Sequence, residues 1–142
     1  MPTVTLRFSP MAEHVRTARL VAVSVARRAG FGEDQLDEIR IAIGEACARA
    51  VAGGVLASPA GPPVSLVDMR LSDDEDRLDV TVSRCGPDGG PVPDGPGALA
   101  SADPLSLALM AGMADSSAET SSAGGVTLSW HLQPGTSDVR AF

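Results

Sequence analysis

Residues 35–54 read QLDEIRIAIGEACARAVAGG, and this stretch decides the fold. Leu36, Ile39, Ile43, Ala46, Cys47 and Ala50 recur at steps of three and four. That spacing predicts an amphipathic helix with one buried face. Glu45 and Arg49 stand four apart on another flank of the same helix. Glu33 and Asp34 open it, where acidic groups suit the positive end of the helix dipole. Gly53-Gly54 closes it.

Upstream, Gly30-Phe31-Gly32 separates this helix from another one, expected over Met11 to Ala29. Ser9 is read as its cap and Pro10 as its first helical residue. Val15, Ala18, Ala22, Val25, Ala26 and Ala29 form its core stripe. Arg16, Arg19 and Arg27 fall within about a quarter-turn of one another at roughly 100° per residue. Val23 lies among them and Leu20 beside them. Arginine mixed with apolar residues is what protein interfaces favour, though a solvated face gives the same pattern. Before this helix, Val4, Leu6 and Phe8 alternate with polar residues as a half-buried strand.

Downstream, residues 57–63 are a loop rich in Pro, Gly, Ala and Ser. Val64 to Leu71 and Leu78 to Val82, continuing toward Arg84, read as strands. Asp73-Asp74-Glu75-Asp76 is the turn between them. Residues 86–103 form a long Gly/Pro-rich loop, a length that is usually functional or disordered. Leu105, Leu109, Met110 and Met113 mark a third helix from Pro104 to about Ser116. A polar loop through Ser122 leads to a last strand, Val126 to Leu132. The order predicts an α+β domain with helices packed on one sheet, spanning residues 1–133, with a flexible tail over 134–142.

Composition narrows the chemistry. The 142 residues carry a formal net charge of −7, which disfavours a general nucleic-acid binder. All 11 basic side chains are Arg, and the sequence contains neither Lys nor Asn. A P-loop lysine, a Schiff-base lysine and an asparagine metal ligand are therefore excluded. Cys47 and Cys85 have no zinc-site or disulfide-scaffold spacing and are expected to be reduced, inert thiols. No apolar run follows a basic start, and no stretch approaches about 20 apolar residues. The expectation is a cytoplasmic protein without a membrane span.

The pieces LRFSP, Ala18-Arg19 and IAIGEACARAV, in this order, resemble the anti-sigma factor serine kinases, a branch of the histidine-kinase-like (GHKL) ATPases. The resemblance covers about Val4 to Leu132. It implies a two-layer sandwich, with helices on one face of a mixed, mainly antiparallel sheet. In that family the second helix carries a Glu, then four residues later an Asn that holds Mg²⁺ against ATP. Glu45 matches the general-base Glu, and Arg49 stands at the Asn. The family's Asp-x-Gly-x-Gly motif aligns with Arg84, Gly86 and Asp88; a shifted register brings in Asp88-Gly89-Gly90. The phosphate-wrapping Gly-x-Gly positions align with Pro104 and Ser106.

These departures change the expected chemistry. A guanidinium cannot ligate a cation or accept a hydrogen bond from adenine, and Pro104 has no N–H to offer phosphate. Glu45 and Arg49 could also simply form an ion pair. With these departures the resemblance implies a degenerate member, with no cofactor and no metal, that has lost kinase activity and works by protein binding. Its implied partners are a sigma factor and a STAS-domain anti-anti-sigma antagonist, with homodimerisation common in the family. The partner surface falls on Arg19, with Arg16, Leu20 and Val23. Two alternatives stand beside it: an active ATP-dependent serine/threonine kinase with altered contacts to ATP and Mg²⁺, and a scaffold module with an unrelated partner.

Overall fold

The computed structural model describes residues 2–53, 65–90, 104–120 and 125–133. Among the described residues, five strands and three helices follow one another as β1 (Thr3–Phe8), α1 (Ala12–Ala29), α2 (Glu33–Ala52), β2 (Leu66–Asp74), β3 (Arg77–Cys85), α3 (Pro104–Met113), β4 (Ser116–Glu119) and β5 (Val126–His131). The strands form one sheet in the order β1-β2-β3-β5-β4, and every neighbouring pair is antiparallel. The three helices described lie on one face, giving the α+β two-layer sandwich the sequence predicts.

Strand alternation sorts side chains between the two faces. Val67, Met69 and Leu71 of β2, Leu78, Val80 and Val82 of β3, and Val126, Leu128 and Trp130 of β5 are buried beneath the helices. The α2 stripe closes on them; Leu36, Ile39, Ile43, Ala46, Cys47 and Ala50 are all buried. Burying apolar surface of this kind is worth roughly 25 cal/mol per Å². With few aromatics, the core depends on close packing of small and branched side chains around Trp130. The Trp130 indole Nε1 donates to the Met113 carbonyl at 2.8 Å, tying β5 to the end of α3.

The opposite face of the sheet is polar. Asp68 accepts from Arg7 at 2.8 Å and pairs with Arg70 at 3.3 Å. The Asp68 hydrogen bond and charge together raise the already high Arg7 pKa.

Four sequence readings shift. Ser9-Pro10 does not cap α1: Met11 is the N-cap, with no side-chain cap bond, and the Ser9 carbonyl accepts from Met11 N–H at 2.7 Å in a preceding turn. The β2–β3 turn is only Glu75-Asp76, because Asp73 and Asp74 pair with Leu78 and Arg77 in the ladder. The third helix ends at Met113 rather than near Ser116. The expected polar loop after it contains an edge strand, β4. The loop over 57–63, most of the loop over 86–103 and the tail over 134–142 lie outside the described residues.

Candidate functional site

Two groups of residues singled out by sequence are placed by the fold. Of the nucleotide-motif positions, Arg49, Arg84 and Ser106 are buried on the helix side, whereas the Gly86–Gly90 turn lies beside Arg7, with a Cβ at Gly89 falling 3.1 Å from the Arg7 guanidinium. Glu45 sits half-buried on α2. One turn on, the same helix drives Arg49 into the interior, where it is 7% exposed. Arg49 Nη2 lies 3.2 Å from Glu119 Oε1 of the edge strand β4, whose side chain is 55% exposed. The ion pair seen for Arg49 therefore reaches across to the sheet edge, 70 residues away in sequence, and not along the helix to Glu45.

Arg84, near the end of β3, is 4% exposed. It stands opposite Val67 in the ladder and so on the helix-facing side. Ser106, in the first turn of α3, is also buried, and among the described residues its hydroxyl has no hydrogen-bond partner. Pro104 is the first residue of that helix and is exposed.

Gly86 and Asp88 serve a local turn. Gly86 N–H donates to the Gly90 carbonyl at 2.7 Å, and Gly89 N–H to the Gly86 carbonyl at 2.8 Å. Asp88 Oδ1 accepts from Gly90 N–H at 2.9 Å. Gly89 has φ +84°, a left-handed conformation that favours glycine. On the helix side, α3, β4 and β5 line an open cavity of about 320 Å³, with residues that include Met110, Glu119 and Leu128.

Chemically, two buried guanidiniums occupy motif positions where the family resemblance calls for a metal-holding amide and an adenine-accepting carboxylate. Guanidinium offers donors only and stays protonated, so neither position can hold Mg²⁺. Among the described residues, no group of three or more His, Cys, Asp or Glu is placed to bind a metal.

The second group meets in a groove between α1 and α2. Arg16, Arg19, Leu20, Val23 and Arg27 of α1 and Arg40 of α2 line a cavity of about 380 Å³. Leu20 is 63% exposed, whereas Val23 is buried as the apolar floor. Arg40 pairs with Asp37 at 2.6 Å and Arg27 with Glu33 at 3.6 Å. The four residues that the sequence names as a partner surface thus meet in one concavity. Sequence reading missed Arg40, which belongs to the neighbouring helix. Only the α1–α2 packing brings it to the arginine stripe.

Cys47 lies beneath this pair of helices. Burial pushes its thiol up to about 12 from 9.0, partly offset by the charge of Arg19. A raised thiol pKa means that the fold favours the neutral form. Its contribution to stability is complete below the unfolded value of 9.0 and is lost as pH rises from there toward about 12. The stability difference between wild type and Cys47→Ala, measured by urea unfolding, is therefore expected to narrow above pH 9. A difference constant across that window would contradict the assignment. Burial also raises the Cys85 thiol, which sits among Arg7, Asp68, Asp88 and Arg70.

No helix among the described residues is long and apolar enough to cross a membrane. No curated protein matches the sequence. Among solved structures, the chain is similar to the RsbU and RsbW domains of Rv1364c from Mycobacterium tuberculosis. The identity is 19% and the TM-score 0.58, over 94% of this chain and 32% of that one. The present chain thus spans about a third of that protein's length, and at this identity the likeness is one of fold. The histidine kinase-like ATPase domain profile matches residues 8–130, nearly the whole sandwich including α2 and both arginine positions. The chain belongs to the histidine kinase-like ATPase family.

Proposed function

We propose that the protein is an anti-sigma factor–type regulator that acts by binding rather than by phosphoryl transfer. A sigma factor is its target and a STAS-domain protein its antagonist. The observation that carries this reading is the groove. In a chain of net charge −7, four arginines surround one exposed leucine and one buried valine. Such a site suits an acidic segment that presents an apolar side chain. The anti-sigma resemblance of LRFSP, Ala18-Arg19 and IAIGEACARAV supplies the identity of the partner.

The degenerate motif positions support the second half of the proposal. At the positions that the resemblance assigns to the nucleotide site this chain carries Arg49 and Arg84, and Arg49 is engaged by Glu119. Without a phosphoryl donor, a serine hydroxyl activated by Glu45 would have no phosphorus to attack.

The direct test is binding of the purified protein to the purified sigma factors of its own organism, by biolayer interferometry. One member of that panel is expected to bind in 1:1 or 2:1 stoichiometry, the latter if the protein dimerises like its family. Binding to none of them would contradict the proposal. The kinase alternative draws its support from the same two guanidiniums, since arginine is well suited to phosphate. It requires nucleotide binding independent of Mg²⁺.

A further inference from the structure

Gly44 stands in the middle of α2, where glycine is the least favourable residue after proline. Its backbone does not require glycine. The positive-φ glycines among the described residues are Gly30 and Gly89, and Gly44 lies inside an uninterrupted helix. What distinguishes the position is the space its missing side chain leaves. A Cβ built there would lie 3.0 Å from Arg19 Cδ, 3.6 Å from Arg19 Nη1 and 3.7 Å from Arg19 Cγ. The stem of Arg19 therefore crosses from α1 directly over the bare backbone of Gly44.

Arg40, Gly44 and Cys47 follow at i, i+4 and i+7, one stripe of α2 turned toward α1. Arg40 lines the groove at one end of this stripe. At the other end the charge of Arg19 is felt by the Cys47 thiol. Gly44 lies between them, so the path of Arg19 and the width of the groove are set at this residue.

We propose that Gly44 is a positioning residue for the docking groove: its missing side chain is the seat that holds Arg19 across α2 and keeps the space above Val23 open. The partner this admits is an acidic segment whose apolar side chain reaches Val23 beside Leu20, while its carboxylates meet Arg16 and Arg19. This deepens the reading of the groove as a partner site and rests on it. A methyl group at Gly44 displaces Arg19 by a few tenths of an ångström or more, yet it favours the helix itself. Loss of binding without loss of stability is the signature that separates positioning from core packing.

The test compares Gly44→Ala with Gly112→Ala, a helix glycine at which an added Cβ meets nothing within 4 Å. For each variant three quantities are measured: the Arg19 Nε–Hε NMR signal, the melting temperature, and the affinity for the sigma factor that the wild type binds. Gly44→Ala is expected to move the Arg19 signal, to keep or raise the melting temperature and to weaken binding about tenfold or more. Gly112→Ala is expected to leave the Arg19 signal and the affinity unchanged. An unmoved Arg19 signal, a lowered melting temperature, or unchanged affinity despite a moved signal would each overturn the proposal. If the wild type binds no sigma factor, the functional reading fails by itself. The Arg19 signal and the melting temperature then decide whether Gly44 is the seat.

Discussion

Arg19→Glu is expected to abolish binding to the sigma factor proposed as the partner, weakening it by about 100-fold or more, while the domain stays folded. The size of the effect follows from where Arg19 stands. It lines the groove together with Arg16 and Arg27 of its own helix and Arg40 of the next. Charge reversal removes an attractive contact and also places a carboxylate against an acidic ligand, so repulsion is added to loss. The fold is expected to tolerate the change, because exposed substitutions usually stay within about 0.5 kcal/mol. Affinity by biolayer interferometry and melting by circular dichroism separate the two effects. Wild-type affinity in the variant would remove Arg19 from the site, and a collapsed melting transition would assign it to the core instead.

The largest effect on stability is expected at Trp130. It is the sole tryptophan, is 1% exposed, and fills the space between β5 and the end of α3. Trp130→Ala deletes that volume and leaves the Met113 carbonyl without its indole donor. The combined cost is about 3–5 kcal/mol, a large part of the stability of an ordinary domain. Urea unfolding followed by far-ultraviolet circular dichroism measures it without relying on the lost fluorophore. A cost below about 1 kcal/mol would mean that the site collapses around the missing ring.

These two residues also mark how far the sequence can be read. The α1 and α2 stripes are legible because a 3.6-residue period reports which face is buried, and α2 buries each residue so identified. The strand alternation of β1 and β3 is legible for the same reason, at period 2. Strand β4 is not, because Ser116, Ser117, Ala118 and Glu119 are all exposed and carry no alternation. Its existence depends on pairing with β5.

The setting of Arg49 is hidden for a related reason. Local spacing suggests Glu45 as its partner, but burial and Glu119 come from the tertiary arrangement of α2 against the sheet edge. Likewise the arginine stripe of α1 is visible in the sequence, whereas Arg40 and Gly44 join it only through helix packing.

The central claim is that this domain regulates by protein contact, with its nucleotide positions turned to other use. Calorimetric titration of the purified protein with ATP and ADP, each with and without Mg²⁺, tests it most directly. The account predicts no heat of binding and no thermal shift at millimolar nucleotide, because Arg49 and Arg84 cannot hold the metal or accept from the base. Saturable binding near micromolar would contradict it and make phosphoryl transfer to a STAS-domain protein the activity to measure.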